Sequence, residues 1–173
     1  MKKLLVVVDY QNDFVTGSLG FEKAVEIGPA IAGKIEQYRE NGDEIVFTMD
    51  THHTDYLETY EGKNLPVTHC VKDTDGWRIC TEIPAEAPDT VFVKHTFGSD
   101  GLFDYLRQNP FQSIELCGVV TNICVISNAV LAKTAQPETP VIVDAKCVAS
   151  NDEGLNQKAL DVMKSFQVEV VNR

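Results

Sequence analysis

Three residues of unlike chemistry stand at or just past short apolar runs: Asp9 after Leu4 to Val8, Lys94 after Val91 to Val93, and Cys124 shortly after Ile114 to Val120. Together they can do covalent chemistry on a carbonyl. A thiolate attacks carbonyl carbon, a nearby carboxylate takes the thiol proton, and an ammonium holds that carboxylate and steadies the developing anion. Cys124 falls in what reads as the first turn of a helix, whose N-terminal dipoles are expected to lower its pKa. Backbone N–H groups of Val120 and Cys124 are the expected oxyanion donors. Taken singly, each residue has a plainer role: a free cysteine packs in cores, an Asp caps a turn, a Lys ends a strand in solvent. Cys117 and Cys147 read as packing, Cys70 and Cys80 have no evident base, and Asp144, closing the fifth run, reads as structural.

A second cluster follows the second apolar run. His52, His53 and His69 lie there among Asp50, Asp55, Glu58 and Glu61. Asp50-Thr51-His52 places a hard oxygen and a borderline nitrogen on one side of an extended segment. With His69 and one more acid it would make a mixed N/O site suited to Zn, Mn or Fe. Histidines and acids in loops are also commonly just solvated.

These residues need a frame that gathers strand ends. Leu4 to Val8, Ile45 to Met49, Val91 to Val93, Ile114 to Val120, Val141 to Val143 and Val168 to Val171 read as strands, mostly continuous and β-branched, as in sheets covered on both faces. Ile27, Ile31, Ile35 and Tyr38 recur at helical spacing before an Asn41-Gly42 stop, and Leu155, Ala159, Val162, Met163 and Phe166 do so near the C-terminus. Ile123 to Leu131 is apolar almost all round and reads as a deeply buried helix. Alternating strands and helices predict an α/β fold with a parallel sheet, in which ligands bind beyond the carboxyl ends of the strands. Thr51 to Asp89 is a long stretch without clear periodicity, a length that is more often functional than passive.

Composition narrows the classes. The 173 residues predict a single domain, 1–173, able to bury roughly 68–70% of its unfolded surface. A net charge of −11 argues against nucleic-acid binding. No apolar run approaches the roughly 20 residues of a membrane span, and the five-residue run after Met1-Lys2-Lys3 meets Asp9 too soon for a signal peptide. Five irregularly spaced cysteines are expected to be free thiols in a reducing cytoplasm.

Val7-Val8-Asp9-Tyr10-Gln11-Asn12-Asp13-Phe14 resembles the first-strand signature of the isochorismatase-like cysteine hydrolases. Gly118-Val119-Val120-Thr121-Asn122-Ile123-Cys124-Val125 resembles their nucleophile motif, and Val93-Lys94-His95 falls where that family carries its catalytic lysine. Asp50-Thr51-His52 with His69-Cys70-Val71 and Thr74-Asp75-Gly76 is similar to the nicotinamidase branch. Two departures stand out: Thr51 where that branch commonly has Trp, and His95-Thr96-Phe97-Gly98-Ser99 in place of the usual run after the lysine.

The resemblance implies a three-layer α/β/α sandwich with a six-stranded, mainly parallel sheet, a homo-oligomer, and a non-proline cis peptide between Val119 and Val120. It implies Asp9, Lys94 and Cys124 as catalytic residues. It also implies a divalent metal, foremost zinc, on Asp50, His52, His69 and Glu61, with Glu58 and Asp55 as alternatives to the last. Phe14 is expected to stack on the substrate ring. The implied activity converts nicotinamide, or a similar small heteroaromatic amide, to the acid and ammonia through a cysteine thioester, a reaction that would serve NAD salvage. The alternatives are a ureido or carbamoyl amidase, an isochorismatase-type hydrolase, which Cys124 weighs against, or a non-catalytic protein on the same fold.

Overall fold

The computed structural model describes residues 1–86 and 89–173; residues 87 and 88 of the long Thr51 to Asp89 stretch lie outside it. Six strands form one sheet: β1 (Leu4–Val8), β2 (Glu44–Asp50), β3 (Thr90–Lys94), β4 (Ile114–Val119), β5 (Val141–Ala149) and β6 (Val168–Val171). Their order is β3-β2-β1-β4-β5-β6, and every neighbouring pair is parallel. The chain moves outward one way from β1 to β3 and the other way from β4 to β6, so the order reverses between β1 and β4. Parallel sheets place their ligand crevice at such a switch.

Alternate residues of β1 explain the three layers. Leu4, Val6 and Val8 join one core, with Leu102 and Leu106 of α5 (Asp100–Gln108), Ala129 and Ala132 of α6 (Ile126–Ala135), and Leu160 and Met163 of α7 (Glu153–Ser165). Leu5 and Val7 face the other way, against α1 (Asn12–Val15), α2 (Glu22–Glu26) and α3 (Gly28–Glu40), the last presenting Ile31, Ile35 and Tyr38. All five β1 residues are therefore buried, as a strand packed on both faces must be. Helix α3 stops at Asn41, and Gly42 follows at φ +70°, a conformation glycine takes without steric cost.

Several expectations need correction. Asp144 does not close the fifth strand. β5 continues to Ala149 through a bulge, because Leu116 opposes Val143 while Gly118 opposes Val148. β4 ends at Val119 rather than Val120, and the Val119–Val120 peptide is cis. The apolar segment from Ile123 is a π-helical turn (Thr121–Val125) followed by α6, and it is buried on one side only: Ile123 and Val130 are exposed. On α7 the inward face is Asn156, Ala159, Leu160 and Met163, leaving Leu155 and Val162 in solvent. β3 is an edge strand whose Val91 and Val93 are exposed, so the both-faces-covered expectation fails there. The long stretch is not structureless either. It holds a 3₁₀ turn (Tyr56–Glu58), helix α4 (Tyr60–Asn64) and a bridge from His52 to Val71.

Candidate active site

β1 leaves the sheet at Asp9, which has φ +46°, and turns its side chain into the crevice. Gly118 lets β4 come close at the same level, since a Cβ there would overlap the Val8 carbonyl. Lys94 ends the edge strand in register with Asp50. Its ammonium is fully buried, 2.7 Å from Asp9 Oδ2, 3.6 Å from Cys124 Sγ, 3.5 Å from Asp50 Oδ1, and it donates to the Thr96 carbonyl at 2.9 Å. Sequence-distant carboxylate, ammonium and sulfur thus converge.

The electrostatics of this trio differ from the expectation for a thiol at a helix N-terminus. Burial pushes the Cys124 thiol well up, and the Asp9 carboxylate pushes it further against the opposing pull of Lys94. Asp9 is also raised, first by burial and then by the Asp50 charge, with Lys94 and Thr48 opposing. Burial alone would lower Lys94, but Asp9, Cys124 and Asp50 outweigh it and hold the ammonium above its usual range. Both shifts favour the protonated forms: the thiol holds its proton more tightly than a free cysteine, and the carboxylate beside it takes one up more readily than a free aspartate.

Asp50, His52, Glu61 and His69 offer ligand atoms that all lie within 4.8 Å of one another. Glu58 and Asp55 are exposed and do not join them. Thr59 caps α4 by accepting the Gly62 N–H at 3.0 Å, which puts Glu61 in the first turn and on the cluster. His52 is set beside Cys70 and Val71 by its N–H to Cys70 O and by Lys72 N–H to His52 O, both 2.9 Å. The Nδ1 of His69 bonds the Val67 carbonyl at 2.7 Å, leaving Nε2 directed inward at 3.4 Å from Asp50. A ring nitrogen fixed from behind in this way is the usual support for a metal-ligating histidine. Two carboxylates share the pocket. Glu61 is raised by burial and by the Asp50 charge, while the two histidines and Lys94 hold Asp50 well below its usual range despite its burial. Two acids and two imidazoles so arranged fit a divalent cation of the zinc, manganese or iron kind. His53 is exposed and stacks on His95, outside the cluster.

Cys124, Asp50, Glu61 and His69 all border one cavity of about 170 Å³, walled by Phe14, Val120 and Phe97. That exceeds several times the roughly 30 Å³ share of one water, room for one small ring and a short substituent. The Phe14 ring also meets His69 edge-on, with centroids 5.5 Å apart.

Sequence reading missed Thr48, which donates to Asp9 Oδ1 at 2.6 Å, and Asn128, whose amide bonds the Cys124 carbonyl at 2.8 Å and accepts the Ser99 N–H at 3.0 Å. Thr48 opposes Val8 in the β1–β2 register, information that only pairing supplies. Phe97 carried a signal in the sequence, being an aromatic just past Lys94.

The isochorismatase domain model matches residues 3–173, and the chain belongs to the isochorismatase family of hydrolases. Its place within the family is the nicotinamidase branch. The nicotinamidase/pyrazinamidase of Mycobacterium tuberculosis is 29% identical over a 189-residue alignment covering 98% of each chain. The pyrazinamidase of Pyrococcus horikoshii, solved in complex with zinc, is similar at a TM-score of 0.88 and 26% identity over 100% of both chains. N-carbamoylsarcosine amidase of Thermoplasma acidophilum is similar at 0.81 and 27%, over 98% of this chain and 95% of that one.

Proposed function

We propose that this protein is a metal-assisted amidohydrolase that converts nicotinamide, or a similarly small heteroaromatic amide, to the acid and ammonia. The observation that carries the reading is one cavity of about 170 Å³ lined both by Cys124, the sulfur of the Asp9–Lys94–Cys124 trio, and by Asp50, Glu61 and His69 of the four-residue donor group. Separate cavities would suit two functions; a shared one suits a single substrate with an acyl end and a ligating end.

Asp9 takes the Cys124 proton as the sulfur bonds to the carbonyl carbon. Charge is moved rather than created in this step. The Lys94 ammonium faces a carboxylate beforehand and a sulfur anion during the transfer, so the buried site keeps the same total charge. Backbone N–H groups at Val120 and Cys124 take the oxyanion. Asp9 returns the proton to the departing nitrogen, which leaves as ammonia, and a thioester remains on Cys124. Asp9 then removes a proton from water, the hydroxyl adds to the thioester carbon, and the acid leaves as the proton goes back to sulfur. Phe14 flanks the ring and limits its tilt. Asp50, His52, Glu61 and His69 would hold zinc or a similar divalent ion, which would supply Lewis-acid chemistry at that end of the cavity.

Ammonia release from nicotinamide, measured on metal-loaded and chelator-treated protein and on a Cys124→Ala variant, tests this reading. Turnover that needs both Cys124 and the metal supports it. Turnover by Cys124→Ala removes the thioester, and hydrolysis of carbamoyl compounds with none of nicotinamide moves the protein to the rival amidase class.

A further inference from the structure

Gln11 and Asp13 are among the polar residues of the first-strand signature that the proposed chemistry leaves unused. Gln11 is fully buried. β1 turns out of the sheet at Asp9, so at the level of Asp50 no β1 backbone is left to pair with β2 on that side. The Gln11 amide takes the place of the missing strand. Its Oε1 accepts the Asp50 N–H at 2.8 Å, and its Nε2 donates to the Asp50 carbonyl at 2.9 Å and to the Trp77 carbonyl at 2.7 Å. On its other side Asp50 is held by the β3 ladder through Lys94. One side chain thereby mimics a peptide unit and pins the backbone of the residue that offers the first carboxylate to the donor group.

Asp13 does the corresponding work on the other arm. Its Oδ2 accepts the N–H of Cys70 at 2.7 Å, directly after His69, where the chain passes through φ +46°. Its own N–H donates to the Gly76 carbonyl at 2.9 Å. Space for its carboxylate is made by Gly17 and Gly76, since a Cβ at either would overlap it. The short segment that begins with the base Asp9 therefore grips both β2 at Asp50 and the loop at His69–Cys70.

We infer that Gln11 and Asp13 are positioning residues that set the spacing of Asp50 and His69, so that the metal donor group is assembled from the same segment that carries the base. This rests on the metal-assisted reading above. Support held behind the ligands is worth typically 10–100-fold in metal affinity.

The test is zinc affinity of the full-length protein by competition with a chromophoric chelator, alongside thermal unfolding of the metal-free forms. Gln11→Met keeps length and loses every bond, whereas Asp13→Asn keeps an oxygen acceptor that Asp13→Ala lacks. The expected result is a 10–100-fold loss of affinity in Gln11→Met and Asp13→Ala, with Asp13→Asn restored to within about threefold of the parent. Should Asp13→Ala fail to fold, Gln11→Met against Asp13→Asn decides. Affinities within about threefold of the parent in Gln11→Met and Asp13→Ala, or equal losses in Asp13→Asn and Asp13→Ala, overturn the positioning role while leaving the metal-assisted reading intact. A parent protein that binds no zinc overturns both.

Discussion

Asp50 and Lys94 face each other across the β2–β3 ladder, with Asp50 Oδ1 3.5 Å from the Lys94 ammonium and Asp50 Oδ2 3.0 Å from His52 Nε2. One carboxylate thus belongs to both the donor group and the trio around Cys124. Asp50→Asn should abolish tight divalent-metal binding and also change the metal-free thiol, because the Asp50 charge helps to keep Cys124 protonated. Faster alkylation of Cys124 by iodoacetamide is expected in metal-free Asp50→Asn. Glu61→Gln should weaken metal binding with a smaller effect on the sulfur. Equal alkylation rates in all three proteins would separate the two centres.

Removing the Lys94 charge leaves the buried Asp9 carboxylate without its counter-ion. Lys94→Met is expected to destabilise the fold by roughly 3–5 kcal/mol, the usual cost of breaking a buried pair from one side. Adding Asp9→Asn should recover part of that loss, because the remaining charge goes with it. Chemical denaturation of the two single variants and the double variant gives the cycle; a double variant less stable than the sum of its singles would contradict the ion pair.

Acid inhibition should report Asp9. The carboxylate must be ionised to take the thiol proton, and burial places its pKa above the ordinary aspartate value. Thr48 stabilises the ionised form through its 2.6 Å hydroxyl bond, so Thr48→Val should shift the acid limb of the kcat/KM profile to higher pH. An unmoved or lowered limb would assign that limb to another group.

On the α3 side of the sheet, far from the cavity, Lys34 binds Glu115 at 2.5 Å and Asp144 at 3.0 Å, while Tyr38 donates to Glu115 at 2.6 Å. Lys34→Met should cost about 2 kcal/mol, less than a wholly enclosed pair because the lysine keeps some solvent contact. Burial pushes Asp144 up, but the Lys146 N–H, Lys34 and Asn172 outweigh it and hold it below the ordinary range. The stability this contributes is full above roughly pH 4 and drains away as pH falls through the lowered folded value. The melting-temperature gap between parent and variant should therefore narrow below about pH 4, with metal affinity unchanged at neutral pH.

The residues that end strands were readable because β-branched runs stop abruptly at charged side chains, and position beyond a parallel strand is itself a prediction about chemistry. Asp9, Asp50 and Lys94 could be placed at one rim on that ground alone. What pairing decides was not readable. The β5 bulge around Asp144, the hydroxyl of Thr48 beside Asp9, and the amide of Gln11 in place of a strand all depend on register between segments far apart in the chain. Periodicity likewise says that the residues from Ile123 onward are apolar, but not which side of α6 the sheet covers. The choice of Glu61 over Glu58 rests on a local event, the Thr59 cap that starts α4 and sets Glu61 in its first turn.

Placing Lys94 on β3 has a cost in heat. β3 is the outermost strand on its side, hydrogen-bonded to a neighbour only through β2, and the lysine is its one buried residue. Margins of sheets breathe before their centres do. Momentary peeling of this strand would admit water to the cation and scatter the contacts around the sulfur while β1 and β4 stayed intact. Warming should therefore silence the enzyme some degrees below the temperature at which the molecule melts, and amide exchange along Thr90–Lys94 should quicken first.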